Sequence, residues 1–437
     1  MSKNYGTTLI NNNISQDSSI IKLPNSVEDC SFMLAGSGII LTDIGTIIAR
    51  ESDSNSNLKD CSGLFACCYR STNEISNIEN VISGCTSLED CSYMFAFVNQ
   101  NSAHNSYSPI EKIPYEIFDG CSSIKTVSHM FQGMNIIKEV DPRLFTHISN
   151  TLEDASYVFS DCSTIVKIGD NSGGEIGLSS YYVSEGDNRG YYVSLYYDDD
   201  NNIKYAKSLF GDCLKLKTLR NAFSWCSSLQ YIPENLFCDN ITGTVGNLTP
   251  NTSPNTQGSL STVQGIFKGC VNCENIFGKY AFLSLPYVEN ISDMLCGLSK
   301  EIPLDNQNTD IYIDEYMFEK CYRIKYANNS FQFIPHLHGK LGQNFLNASK
   351  DILENISYMF MCTDIGIVLD DEQGTVEIDG HKYKTDFNWN PNGNKLSIFL
   401  HAFSSPYNPS QGWITYGTKI KHDIWADSGD LADTQII

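Results

Sequence analysis

One motif in this sequence has the spacing of two metal ligands. In HLH at 336–338, alternation along a strand would place His336 and His338 on one face, where two imidazoles can share a zinc ion. A zinc site needs three or four protein ligands, and no third ligand is marked near this pair. We therefore predict no metal at this motif.

A second motif has the alternating oxygen ligands that begin a calcium loop. Asp198, Asp200 and Asn202 of DDDNN have the right spacing. A calcium loop also needs a glycine at its sixth place and a glutamate at its twelfth, and both are absent here. The exposed end of a hairpin is the simpler interpretation, and we predict no cofactor for the chain.

Nucleophilic catalysis has little support in the sequence. The eight histidines are scattered, and no serine or cysteine stands in a recognisable nucleophile motif. We therefore predict no catalytic residues and a protein that is not an enzyme.

Tyrosine side chains are the best candidates for binding. They occur in two alternating segments on either side of EGDNRG at 185–190, a pattern that predicts a β-hairpin. Their rings and hydroxyls suit both sugars and protein partners, although simple packing against the rest of the chain is an alternative. The candidate residues are Tyr181, Tyr182, Tyr191, Tyr192, Tyr196 and Tyr197.

A repeated unit could provide the scaffold for these residues. In it, an aromatic or large aliphatic anchor is followed three positions later by Cys or another apolar residue. The tetrad S-x-M-[FL] also recurs, as SFML, SYMF, SHMF, SDML and SYMF. The anchor pairs are Phe65/Cys68, Ile82/Cys85, Phe95/Val98, Phe118/Cys121, Phe131/Met134, Phe159/Cys162, Phe210/Cys213, Phe223/Cys226, Phe267/Cys270, Leu295/Leu298 and Phe318/Cys321.

The regular spacing of the anchors predicts stacked turns with like residues over like. The anchors Ile82 and Phe95 are 13 residues apart, as are Phe118 and Phe131, and 23 residues separate Phe95 from Phe118. Most of the sixteen cysteines occupy one place in the unit, so we expect small buried thiols rather than disulfides or a zinc site.

The predicted fold is a repeat solenoid, an α/β array of short parallel strands with helical or 3₁₀ turns. Residues 1–27 form an N-terminal extension or cap, and 28–362 form the array. Inserts at 169–207, 241–262 and 299–315 interrupt it, the first as a β-hairpin and the second as an extended loop. Residues 363–437 have strand-like alternation and are predicted to form a C-terminal β-rich cap or small module.

The motifs SYMFAFV, IFDGCSSIKTVSHMFQGM and YIPENLF resemble the BspA-like leucine-rich repeats, including the variety described in mycoplasma lipoproteins. The resemblance covers roughly residues 28 to 362. It implies a non-catalytic leucine-rich-repeat array of the kind found in bacterial surface adhesins, protist surface proteins and bacteriophage genomes.

The charge balance limits the range of partners. The net charge of −22 repels phosphate backbones and anionic membrane surfaces, so we predict no nucleic-acid partner. No stretch approaches 18 uninterrupted apolar residues, so we predict no membrane insertion. The first residues lack the apolar core of a secretory signal, which favours synthesis in a cytoplasm.

Two functions fit these observations. The first is a bacteriophage virion component, such as a fibre, head-decoration or tail protein, located in the virion and made in the host cytoplasm. Its partners would be other virion proteins, a host surface protein or a glycan, and it could form a homo-oligomer. The alternative is an adhesin on the bacterial cell surface that binds host or matrix proteins. An enzyme with its site in the C-terminal module is a third and weaker hypothesis.

Overall fold

The computed structural model describes most of the chain between residues 26 and 360. The described segments are 26–36, 57–68, 78–98, 112–169, 192–197, 204–244, 247–298, 311–314, 316–334, 337–338, 345–349 and 351–360, with the backbone of four further strands at 375–378, 381–384, 407–408 and 412–413.

Ten stacked turns form the main body of the described chain. One residue from each turn joins a continuous ladder of parallel bridges. Successive bridge residues are 28 apart between Thr126 and Asp154 and 36 apart between Asp90 and Thr126. The bridge residues are Asp29, Asp60, Asp90, Thr126, Asp154, Thr218, Thr262, Asn290, Tyr326 and Asn355.

Backbone hydrogen bonds hold each turn to the next one. For example, the N–H groups of Tyr93 and Phe95 donate to the carbonyls of Ser128 and Met130 at 2.9 and 2.8 Å. Equivalent bonds recur along the stack, so backbone groups in these turns are satisfied between turns rather than within helices.

The side chain of the bridge residue fixes the start of each turn. In the motif D-C-S, the carboxylate of Asp60 accepts a 2.8 Å hydrogen bond from the N–H of Ser62. Short Asp, Asn and Thr side chains favour this contact because they reach a backbone donor two residues further on. The same contact is made by Asp29, Asp90, Thr126, Asp154, Thr218, Thr262, Asn290 and Asn355.

A ladder of charged residues runs beside the bridge residues. Each member donates its N–H to the carbonyl of the member before it. Ion pairs join Lys59 to Glu28 at 3.1 Å and Lys125 to Glu89 at 2.7 Å. Exposed pairs of this kind contribute little stability individually, because water and salt screen them. The charge ladder consists of Glu28, Lys59, Glu89, Lys125, Glu153, Lys217, Ser261, Glu289, Lys325 and Glu354.

The core contains a column of phenylalanine rings, one from each of most turns. The ring of Phe131 stacks on Phe95 and Phe159 with centroid distances of 5.9 and 5.4 Å. Phe131 has no exposed surface, and the stacked turns share one continuous cluster of buried apolar residues. The column consists of Leu34, Phe65, Phe95, Phe131, Phe159, Phe223, Phe267, Leu295, Phe331 and Phe360.

The turns between the first and the last carry two anchors each in the described residues, which is a correction to the one-anchor unit expected from the sequence. The second series includes Phe118, Phe145 and Phe210, and Phe145 stacks on Phe210 at 5.4 Å. The 13-residue spacing, as between Phe118 and Phe131, therefore separates two anchors of different columns and does not mark the step from one turn to the next. Both series precede a similar apolar position by three residues, so the sequence pattern makes them look alike.

In the described residues, helical structure occurs beside the second anchor series and not beside the first. The described 3₁₀ helices are Ile78–Asn80, Tyr115–Phe118, Thr146–Ile148 and Asn347–Ser349. The first series instead sits in hydrogen-bonded turns, which is a further difference from the expected helical turn at every anchor. No α-helix occurs in the described ranges.

The cysteine thiols explain why Cys recurs after the anchors. The Sγ of Cys162 donates to the carbonyl of Phe131 in the preceding turn at 3.0 Å, and that of Cys226 donates to the carbonyl of Phe159 at 3.2 Å. Burial raises the pKa of the Cys162 and Cys226 thiols. All fifteen described cysteines are thiols rather than disulfides, and all except Cys67 are buried.

The strands are short and lie mostly outside the main ladder. Strand β1 (Glu139–Val140) pairs with β2 (Lys167–Ile168), and β7 (Ile311–Tyr312) pairs with β8 (Leu337–His338), in parallel. The other described pairs are antiparallel. The strands are β1 (Glu139–Val140), β2 (Lys167–Ile168), β3 (Leu195–Tyr197), β4 (Lys204–Ala206), β5 (Ile241–Thr244), β6 (Asn247–Pro250), β7 (Ile311–Tyr312), β8 (Leu337–His338), β9 (Thr375–Ile378), β10 (His381–Lys384), β11 (Tyr407–Asn408) and β12 (Gly412–Trp413).

Two inserts combine into one sheet of order β3-β4-β5-β6. The described partner of β3 is β4, and the two strands are antiparallel. The hairpin turn expected at 185–190 lies outside the described residues. The expected loop at 241–262 is wrong for 241–250, because β5 and β6 pair and β5 joins β4 through Thr244. Thr262 itself belongs to the main ladder.

The remaining boundaries also need small changes. Val27 is buried in the core, although it was assigned to the N-terminal extension. Ile311 and Tyr312 of the expected insert at 299–315 form β7, because their backbone pairs with β8. Beyond residue 360, the described backbone forms two antiparallel pairs, β9 with β10 and β11 with β12.

In the described part of the chain, none of the helices has the length and apolar character needed to cross a bilayer.

Candidate recognition surface

The turns bend at two positions where the backbone is left-handed, the first described in all ten turns and the second in nine. The first lies three residues after the bridge residue and the second lies seven after it. The first column is Phe32, Gly63, Tyr93, His129, Tyr157, Asn221, Gly265, Asp293, Asn329 and Tyr358. The second column is Gly36, Cys67, Phe97, Gly133, Asp161, Trp225, Gly269, Gly297 and Phe333.

Aromatic residues at these positions carry a backbone cost. A left-handed residue with a side chain costs roughly 1–2 kcal/mol because Cβ approaches the following carbonyl, and glycine avoids this cost. Core packing does not offset it, since Phe32 is 47%, Tyr93 39%, Trp225 54% and Phe333 46% exposed. Bulky residues kept in a strained and exposed position are candidates for a functional role. We call the two columns the aromatic turn face.

Three rings of the first column form a continuous stack. His129 lies between Tyr93 and Tyr157, with both centroid distances 4.3 Å and interplanar angles of 8° and 7°. Its Nδ1 lies 2.6 Å from Oε1 of Gln132, whose Nε2 donates to Asp161 at 3.0 Å. Burial lowers the pKa of His129, which favours the neutral imidazole within the stack.

The second column places Trp225 and Phe333 on either side of two glycines. The indole of Trp225 covers Gly269, where an added Cβ would lie 2.5 Å from Cε3 of the ring. At Gly297, an added Cβ would meet only backbone atoms of Gly269, at 3.8 Å. An open step therefore separates the indole from Phe333. We call Trp225, Gly269, Gly297 and Phe333 the tryptophan strip.

Polar side chains from the same turns accompany the tryptophan strip. The Nζ of Lys268 donates to Oδ1 of Asp293 at 3.0 Å, and Nδ2 of Asn329 donates to the same oxygen at 3.4 Å. Gln332 immediately precedes Phe333, and its Oε1 accepts from the thiol of Cys296 at 3.7 Å. The cation and the carboxylate neutralise each other, so these groups are hydrogen-bonding but carry no net charge.

The predicted tyrosines make their described contacts within the protein. The rings of Tyr192 and Tyr231 stack with a centroid distance of 4.0 Å, and burial raises the pKa of Tyr192. Tyr196 lies 5.0 Å from the guanidinium carbon of Arg143 and 6.1 Å from the ring of Tyr205. These contacts attach the insert sheet to the stacked turns.

The other predicted tyrosines are only partly described. Tyr197 pairs with Lys204 between β3 and β4 and is partly exposed. Tyr181, Tyr182 and Tyr191 lie outside the described residues. The structure therefore brings no described cluster of these six rings onto one open surface.

The two metal motifs also fall largely outside the described residues. Residues 198–202 and His336 are not described, and only the backbone of His338 is described, where it pairs with Tyr312. In the described segments, no group of three or more His, Cys, Asp or Glu side chains could hold a metal ion.

Sequence reasoning missed the aromatic turn face, although the signal was present. In the tetrad S-x-M-[FL], the variable position x is the left-handed, outward residue. It is Phe32, Tyr93, His129, Asp293 and Tyr358 in the five copies. The Met and the last residue of each tetrad are buried in the core, whereas the variable residue is at least partly exposed.

Comparison with known proteins adds no relative to this picture. No protein-family model, no curated protein and no solved structure matches the chain. The functional argument therefore depends on the residues of the aromatic turn face.

Proposed function

We propose that this chain is a leucine-rich-repeat-like solenoid that acts without catalysis, by presenting a surface that binds protein or glycan. The observation that supports this most directly is the row of exposed aromatic residues at left-handed positions. Glycine would avoid the free-energy cost of the left-handed backbone at each of these positions, and a turn needs no ring there to fold.

The stacked turns suit such a role because they hold side chains at regular separations. Hydrogen bonds between turns and a continuous phenylalanine column fix the spacing at about 4.8 Å. Surface residues of successive turns then form straight columns, which can contact an extended partner at several points.

The setting we propose is a bacteriophage virion, with the chain as a fibre, head-decoration or tail component. The resemblance of the repeats to an array that also occurs in phage genomes favours this setting. The net charge of −22 agrees with a protein that must not bind the nucleic acid of its own particle. Its partners would be other virion proteins on one side and a host surface protein or glycan on the other.

Mass spectrometry of gradient-purified virions tests this proposal. We expect tryptic peptides of this chain at a fixed ratio to a capsid protein across the density peak. Antibody labelling of intact bacteria, with virions as a parallel sample, distinguishes the alternative. Labelled cells and unlabelled virions would overturn the virion proposal and favour a bacterial adhesin.

A further inference from the structure

We propose that the tryptophan strip binds a neutral oligosaccharide, with one sugar ring on Trp225 and another against Phe333. This inference rests on the proposed display function, because it names the partner that one part of the displayed surface would take. It goes beyond the tyrosines considered from the sequence, since none of them belongs to the strip.

Trp225 has the features of a platform for a sugar. Its indole lies against Gly269, and the residue remains 54% exposed. The backbone at Trp225 has φ of 63°, a conformation that few bulky residues adopt. An indole provides a large apolar surface on which the C–H face of a sugar can pack, with little conformational entropy to lose.

The length of the strip favours an oligosaccharide over a single sugar. Three turn-to-turn steps lead from Trp225 through Gly269 and Gly297 to Phe333. At about 4.8 Å a step, the two rings are roughly 14 Å apart along the column. Gly297 leaves the middle of the strip open, so a chain of sugars could pass from one ring to the other.

Hydrogen-bonding groups beside the rings match the hydroxyls of a sugar. Gln332, Asn329 and the Lys268–Asp293 pair come from the same turns as the strip. Amides, a carboxylate and an ammonium together offer both donors and acceptors, which hydroxyl groups need. A protein partner would instead favour a wider and more continuous apolar patch than two rings separated by glycine.

Charge selects a neutral glycan over an acidic one. Lys268 and Asp293 form an ion pair at 3.0 Å, so the positive charge of Lys268 is already neutralised and does not favour an anionic sugar. The net charge of −22 adds a long-range repulsion against uronic or sialic acids. We therefore expect salt to have little effect on binding.

Isothermal titration calorimetry of the full chain tests the inference. The probes are neutral hexasaccharides of glucose, mannose, galactose and N-acetylglucosamine, with hexagalacturonate as the acidic contrast. We expect at least one neutral probe to bind and hexagalacturonate not to bind. Failure of all the neutral probes, or binding of the acidic one alone, would overturn the proposal.

Two variants assign the site. Trp225→Gly should weaken binding of the neutral probe at least tenfold, without lowering the melting temperature, because glycine suits the left-handed backbone. Tyr322→Ala removes a ring that is also 54% exposed but lies outside the aromatic turn face, and this variant should bind like the unchanged chain. Equal binding by all three proteins would refute the assignment to Trp225.

The two proposals fail in different ways. A chain found in virions that binds no neutral hexasaccharide would retain its virion role and lose the glycan. A chain that binds the glycan through Trp225 but is absent from virions would retain the site and lose the virion role.

Discussion

Replacing Phe131 by alanine should both destabilise the stack and loosen it locally. The ring has no exposed surface and is stacked between Phe95 and Phe159. Removing a buried phenylalanine costs about 3–5 kcal/mol through lost burial and the cavity that remains. The two stacked contacts, each worth about 0.5–1.5 kcal/mol, place the expected loss toward the upper part of that range.

Phe131→Leu is the matched control for this change. Leu34 and Leu295 occupy the same column in other turns and are buried there. A leucine at position 131 therefore enters a kind of slot that already accepts it, and we expect a loss of about 1 kcal/mol. The contrast between the two variants separates the cavity from any general effect of mutating the turn.

Urea unfolding combined with hydrogen exchange measures both effects. The midpoint gives the loss of unfolding free energy, and mass spectrometry follows exchange in the peptides of single turns. We expect faster exchange first in the turns of Phe95, Phe131 and Phe159, because each turn contacts mainly its neighbours. Unfolding like that of the unchanged chain, or an equal loss for leucine and alanine, would refute the reasoning.

Two further predictions concern buried groups. Burial outweighs three backbone N–H donors and raises the pKa of Glu234 to about 7 from its ordinary 4.5. The folded state therefore holds this proton more tightly than the unfolded state, so stability should fall by up to about 3 kcal/mol as pH rises from 4.5 through 7. Glu234→Gln should flatten this part of the pH profile of chemical unfolding, and an unchanged slope would contradict the assignment. Among the fifteen described cysteines, Cys67 should be alkylated first by iodoacetamide in the native protein, because the others are buried; peptide mapping that finds Cys121 or Cys162 modified as fast would contradict this.

Much of the core could be predicted from the sequence, because core positions repeat. Phe131 and Cys121 are both buried, as their recurrence along the chain indicated. The grouping of anchors into turns could not be predicted in the same way. Phe118 and Phe131 look equivalent in sequence, yet they belong to two columns, and only their stacking partners distinguish them.

The inserts and the surface were harder to predict, for different physical reasons. Residues 241–250 are rich in Thr, Asn and Gly and looked like a loop, but neighbouring strand β4 supplies a pairing partner for β5. The exposed, left-handed position of Trp225 could not be predicted, because a left-handed backbone leaves no periodic hydrophobic signal. An exposed aromatic residue at a turn is visible as unusual only when its φ angle is known.

The charge ladder has a consequence for how the stack can change in length. Acidic and basic members alternate from Glu28 to Lys217, and the alternation restarts at Glu289 after the neutral Ser261. Deleting the turn of Glu89 would bring Lys59 beside Lys125, whereas deleting two neighbouring turns preserves opposite neighbours. Gain or loss of turns in even numbers therefore keeps opposite charges next to each other along the ladder. Gain or loss of an odd number of turns brings like charges together and is tolerated best beside the neutral Ser261.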